Sequence, residues 1–212
     1  MSIFETRSAI LLSNFVGPTD LDYFNKYVEN LQTETSSVER KGERVKDETV
    51  RLSKSAAITD MKFIKRLEDI LGPISKQLKY DLELVENKID FISYDKGGFF
   101  GWHSDDRETG NGRLIINLNK TVGNLEIQCD DAEPMSIYDT GGDVIIFDSR
   151  KKHRRLETSG SKNILVMYVN LSKFTYNRED DLAFEEMDFY GKNNDALLAE
   201  EEEEEEESDD YS

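Results

Sequence analysis

A single cysteine, Cys129, stands among the 212 residues, so no disulfide can form within the chain. That fits a reducing compartment. Histidine is almost as scarce, with His103 and His153 alone, so any site that needs imidazole must draw on these two. No stretch approaches the roughly 20 apolar residues that span a bilayer. The N-terminal residues Met1 to Arg7 lack the basic start and apolar run of a signal peptide. A soluble, intracellular, cytoplasmic protein is expected. Basic charge is also short, with 27 Lys and Arg against 45 Asp and Glu and a net charge of -18. The excess is local: residues 178–212 hold 17 acidic and 2 basic side chains, leaving 28 and 25 before them. A nearly neutral body lacks the basic footprint of a general nucleic-acid binder, although a local groove stays open.

What is present reads as one domain with appendages. Ser8 to Val16 suits a short strand ending at Gly17-Pro18. Thr19 then caps a helix with apolar residues at Leu21, Phe24, Val28 and Leu31. Gln32 to Thr49 reads as a surface loop, and Val50 to Leu52 as an edge strand. A second helix starts near Thr59 on the stripe Met61, Ile64, Leu67, Ile70, Leu71 and Ile74, and Gly72-Pro73 should bend or divide it. From Lys88 the pattern changes to short β-rich runs: 89–94, 99–103, 113–119, 125–129, 135–138, 144–147 and 164–171. Residues 1–87 are therefore expected to form helical support for a β core over 88–177, within one α+β domain. Residues 178–212, with the unbroken run Glu200 to Glu207, should be a largely disordered acidic tail. Such a tail either solubilises the chain or docks a basic partner.

The chemistry gathers in Tyr94 to Asp105. In a strand, residues two apart face the same side, so His103 and Asp105 can both reach one metal ion while Ser104 points away. His153 follows the apolar run Val144 to Phe147. Two histidines and one carboxylate on neighbouring strands make a facial triad, the ligand set typical of non-haem Fe(II) oxygenases. Lys162 heads the next apolar strand.

These residues resemble the Fe(II)- and 2-oxoglutarate-dependent dioxygenase superfamily, in particular its prolyl 4-hydroxylase-like branch. The branch shows Tyr-x-x-Gly-x-x-aromatic-x-x-His-x-Asp, met here by Tyr94, Gly97, Phe100, His103 and Asp105. Gly142, His153 and Lys162 match its later positions in order, and the likeness covers about residues 88–171. It implies a double-stranded β-helix (jelly roll), Fe(II) on His103, Asp105 and His153, and 2-oxoglutarate as co-substrate, with ascorbate as a supporting reductant. It further implies that Lys162 pairs with the distal carboxylate of 2-oxoglutarate, that Tyr94 donates its hydroxyl to the co-substrate, and that Asn117 lines the pocket. The implied reaction is hydroxylation of a prolyl or other protein side chain, with release of succinate and carbon dioxide. A protein or peptide substrate is preferred over nucleic acid.

Two alternatives stand beside this reading. Trp102 to Asp106 also resembles the AlkB-like nucleic-acid demethylases, although those relatives usually carry a pair of arginines where this chain has Lys162 and then Tyr168. A cupin-type metal-binding barrel without oxygenase activity would share the triad, since two histidines and a carboxylate hold zinc as well.

Overall fold

The computed structural model describes residues 2–40, 43–105, 110–129 and 133–174, all within one compact unit. The acidic segment 178–212 lies outside the described residues. In order come β1 (Ser2–Glu5), β2 (Ala9–Ser13), α1 (Pro18–Val28), β3 (Glu34–Thr35), β4 (Val38–Arg40), β5 (Glu43–Val45), β6 (Arg51–Leu52), β7 (Lys54–Ala57) and α2 (Met61–Leu78). Then follow β8 (Leu82–Tyr94), β9 (Phe99–His103), β10 (Gly112–Asn117), β11 (Gly123–Ile127), β12 (Met135–Asp139), β13 (Val144–Asp148), β14 (His153–Arg155) and β15 (Lys162–Leu171).

The larger sheet has eight strands in the order β1-β2-β13-β10-β15-β8-β7-β3, and the smaller has five in the order β12-β11-β14-β9-β6. Neighbouring strands pair antiparallel. The two sheets face each other as a jelly roll. Strand alternation gives the central strands two faces and hence two cores. On β13, Val144 and Ile146 face the core shared with the helices, whereas Ile145 and Phe147 face the core between the sheets. On β15, Leu165, Met167, Val169 and Leu171 join the first core and Ile164 the second.

The N-terminal part is not the helical support expected for 1–87. Its described residues include β1 to β7 and the start of β8, and of these β1, β2, β3 and β7 extend the larger sheet and β6 edges the smaller. The stretch 32–49, expected as a loop, contributes β3 and the β4–β5 pair. These strands are two or three residues long and find their partners by tertiary contact, as β3 does with β7, so local pattern does not announce them.

Helix α1 begins at Pro18 behind a Gly17 cap with no side-chain bond, so Thr19 does not cap it. Proline at the first helical position gives up an N–H that has no partner there anyway. Helix α2 is capped by Asp60, whose carboxylate accepts from the Lys62 and Phe63 N–H groups. It runs unbroken through Pro73. An interior proline costs about 3 kcal/mol. Beyond it Ile74 and Leu78 are both buried in the first core, and at about 1.5–3 kcal/mol for each buried side chain they offset that loss. No helix of the described residues is long and apolar enough to cross a membrane.

Candidate metal centre

Strand β9 delivers His103 at its last residue, and Asp105 follows two positions later, its N–H donating to the Ser149 carbonyl at 3.1 Å. His153 opens β14 and pairs in register with His103 across the two strands. The structure thus brings His103, Asp105 and His153 together, with one ligand atom from each lying within 4.8 Å of the others. His103 Nε2 is 3.8 Å from Asp105 Oδ1, and His153 Nε2 is 3.6 Å from Asp105 Oδ2.

The opposite nitrogens fix the tautomers. His103 Nδ1 lies 2.8 Å from the Gly101 carbonyl and His153 Nδ1 2.9 Å from that of Lys151. Each Nδ1 must carry the proton to donate, which leaves each Nε2 lone pair facing Asp105. Burial pushes the His103 pKa well below the ordinary histidine value, and repulsion from His153 adds to it. Burial lowers His153 too, against a partial offset from Asp105. Neutral imidazole is the form that binds a metal. Phe100 stacks on His103 at 3.5 Å between ring centroids, and Phe147 meets His153 edge-on at 4.7 Å.

Arg113, on β10, was not anticipated as part of this centre. It is 3% exposed, its Nε donates to Asp105 Oδ2 at 2.9 Å, and its guanidinium lies 3.9 Å from the Tyr168 ring centroid. It shares the inner face of β10 with Ile115 and Asn117, and that period of two was the available signal. A cavity of about 470 Å³ opens onto His103 and Asp105, with Arg44, Arg51, Asp90, Trp102 and Tyr168 in its wall. Tyr168 donates to Asp90 at 3.2 Å. Burial holds Asp90 above the usual carboxylate range, and burial with the Asp90 charge pushes Tyr168 up to about 12. Trp102 is half-exposed under the Arg154 guanidinium, 4.6 Å from its centroid.

The remaining site candidates lie deeper between the sheets. Tyr94 and Lys162 are register partners on β8 and β15, both buried. Lys162 Nζ donates to the Thr121 carbonyl at 2.9 Å and the Asp139 carbonyl at 3.2 Å, and sits 3.4 Å from Asp139 Oδ1. Asp139 also takes Arg155 Nη1 on both oxygens, at 2.8 and 3.0 Å. Burial alone would raise the Asp139 carboxyl; the Arg155 and Lys162 charges outweigh it and hold the group below its usual range. Asn117 faces the same space at 0% exposure and reaches the Asp143 carbonyl through Nδ2 at 3.4 Å. Sequence reading missed Asp139 and Arg155, because they sit on β12 and β14 with β11 between them.

No protein-family profile matches the chain, and no curated protein matches it. Solved structures do. A prolyl hydroxylase from Trichoplax adhaerens, in complex with a hypoxia-inducible-factor oxygen-degradation-domain peptide, superposes with a TM-score of 0.63 at 17% identity, over 77% of this chain and 84% of that one. HygX from Streptomyces hygroscopicus, with nickel, 2-oxoglutarate and hygromycin B bound, gives 0.54 at 11% identity over 76% and 82%. OsALKBH1 gives 0.55 at 12% identity over 79% and 99%. The chain has the fold of the 2-oxoglutarate-Fe(II) oxygenases. Its donor set fits the metal of that fold, since two neutral imidazoles and a carboxylate converge with their lone pairs inward. The inner end fits an acidic co-substrate: two buried cations, Lys162 and Arg155, face Asp139, and the Arg155 Nη2 donor has no hydrogen-bond partner among the described residues.

Proposed function

We propose that this protein is an Fe(II)- and 2-oxoglutarate-dependent dioxygenase that hydroxylates a protein or peptide side chain, with prolyl residues the first to test. The observation that carries the reading is the triad itself, with both histidines presenting Nε2 toward Asp105, and with His103 and Asp105 lining an open polar cavity. When bound, Fe(II) and the 2-oxo acid supply the oxidising chemistry, in which dioxygen converts the co-substrate to succinate and carbon dioxide and one oxygen atom enters a substrate C–H bond.

The chain's own residues do the rest. His103, Asp105 and His153 would hold the ion, which would supply the oxidising chemistry beside them. Arg113 keeps Asp105 turned toward the histidines. Lys162, Tyr94 and Asn117 line the inner end for the co-substrate, and the Asp90–Tyr168 pair presents a carboxylate to a substrate amide at the cavity wall. The inner end is buried, so each charge–charge contact there is stronger than in water.

A nucleic-acid substrate is the second reading, favoured by Arg44, Arg51 and Trp102 in one wall, a cationic groove beside an aromatic platform. Asp90 and Asp105 in the same cavity, and the nearly neutral body of the chain, weigh toward protein. The test is incubation with Fe(II), 2-oxoglutarate and ascorbate against peptide and oligonucleotide pools, reading succinate release and mass change. A peptide gaining one oxygen supports the first reading, and a methylated base losing its methyl group supports the second. His103→Ala should abolish succinate release. Wild-type succinate release in that variant, or none from the wild type with either pool, would overturn the dioxygenase assignment.

A further inference from the structure

We propose that the open cavity selects an acidic peptide, and that Arg51 recognises an Asp or Glu side chain two residues from the one that is oxidised. The inference rests on the dioxygenase reading and narrows its substrate class.

Arg51 is held in place from three sides. Strand β6 pairs with β9 so that Arg51 stands opposite Phe100, and its guanidinium lies 4.4 Å from the Phe100 ring centroid. Its Nε donates to Ser53 Oγ at 2.9 Å, and that hydroxyl donates in turn to Ser36 Oγ at 2.9 Å. Ser53 and Ser36 are both buried. Its Nη1 reaches the Ser37 carbonyl at 3.4 Å. A ring face, a buried hydroxyl pair and a carbonyl thus fix one orientation, and Nη2 keeps no hydrogen bond among the described residues. No carboxylate of the described residues is in ion-pair contact with Arg51. A long side chain ordered in advance loses little further freedom when a ligand arrives.

Charge decides what this guanidinium takes. The cavity wall sets Arg44 and Arg51 against Asp90, while Asp105 is already bonded by Arg113. Asp90 accepts from Tyr168 and lies in the field of Arg51, Arg44 and Arg113, so it is well compensated. An entering anion therefore meets a surplus cation, and Arg51 offers it a donor. A single side-chain carboxylate suits that balance. A nucleic-acid backbone brings a charge at every nucleotide, and Asp90 and Asp105 in the same cavity oppose it.

Position sets the spacing. The His103 ring also stacks on Phe100, at 3.5 Å between centroids. One ring face has room for one stacked group, so the guanidinium and the imidazole take opposite faces of Phe100. Arg51 is therefore one ring away from a metal ligand. In an extended peptide, side chains two residues apart point the same way and stand about 7 Å apart. One of them sits at the metal centre while the other meets Arg51.

The test uses two blocked pentapeptides, Glu-Ala-Pro-Ala-Glu and Gln-Ala-Pro-Ala-Gln, which carry an acid or its amide two residues from proline on either side. Each is titrated into the protein loaded with Mn(II) and 2-oxoglutarate, without oxygen. Fluorescence of Trp102, the chain's single tryptophan and a residue of the cavity wall, reads the binding. The acidic peptide should bind about 10- to 100-fold more tightly, the range of one charge-assisted hydrogen bond. Arg51→Gln should bring that ratio close to one while the amide peptide keeps its affinity. Equal binding of the two peptides by the wild type would overturn the proposal without any variant, as would no binding of either. A ratio retained in Arg51→Gln would overturn it too. Succinate release with Fe(II) and oxygen tests the reading beneath it separately: selective binding of the acidic peptide without succinate from any peptide or oligonucleotide would overturn the dioxygenase assignment and leave the acidic site standing. An oligonucleotide that displaces the acidic peptide and is itself modified would overturn the peptide class in favour of nucleic acid.

Discussion

Asp139→Asn removes the one carboxylate that Arg155 and Lys162 share and leaves the volume almost unchanged. All three side chains are 0–3% exposed, so neither cation can turn to water for compensation. Breaking a buried pair by removing one partner costs about 3–5 kcal/mol. The asparagine side chain can still accept one bond, and the Asp139 main-chain carbonyl keeps its contact with Lys162, so the lower end of that range is expected. For a chain of this size each kcal/mol moves the melting temperature by roughly 2–4 °C, which puts the loss near 10 °C. The melt should then be repeated with added succinate, a diacid that can take the vacated place. A ligand at 100 times its Kd adds about 2.7 kcal/mol. Succinate should therefore recover a large part of the loss in Asp139→Asn and give a smaller shift in the wild type. A melting temperature within about 2 °C of wild type, a shift of at most about 1 kcal/mol, would refute the claim that this carboxylate neutralises the two cations.

Arg113→Met keeps the packing against Tyr168 but frees Asp105 from its guanidinium. Loss of a residue that orients a metal ligand costs typically 10- to 100-fold in affinity, measurable by Mn(II) titration, and an unchanged affinity would remove the orienting role. A pH series probes the inner end. Burial lowers the Lys162 pKa to about 8, against the pull of Asp139, so the ammonium is present below that pH and lost above it. With Lys162 neutral, Arg155 and Asp139 balance each other and an entering carboxylate meets no surplus charge. 2-Oxoglutarate affinity should be flat below pH 8 and fall above it, by up to tenfold per unit, while the affinity for 2-oxobutyrate, which lacks the distal carboxylate, stays level. A 2-oxoglutarate affinity constant from pH 7 to 9.5 would show that the cluster's charge is not used.

The triad was legible because its information is local. His103 and Asp105 lie two apart in a strand, and His153 was the one other histidine available. The central strands were legible for the same reason, since runs such as Val144 to Phe147 are buried on both faces and need no partner to be recognised. Strand β14 was not. It is three residues long, and two of them are arginines, so it reads as a charged loop. With β14 unseen, nothing marked Arg155 as inward-facing, and nothing in local sequence states that β11 lies between β12 and β14. The Asp139–Arg155 contact exists only through that sheet order and the missing side chain at Gly123. Pro73 failed as a breaker because the stripe beyond it had a core to enter, a tertiary gain that no local rule counts.

Strand β15 orders the site from end to end. Its inner face begins with Lys162 and ends at Tyr168, six residues and about 20 Å further along, and its neighbour β8 runs alongside with Tyr94 opposite Lys162 and Asp90 opposite Val166. The charged cluster therefore lies at one end of the space between the sheets and the open cavity at the other. Arg113 ties the triad to the cavity end by bonding Asp105 while covering Tyr168. On the proposed reading, a diacid stretching from the metal to Lys162 extends inward, away from the cavity, and leaves the wall formed by Asp90, Trp102 and Tyr168 free for substrate.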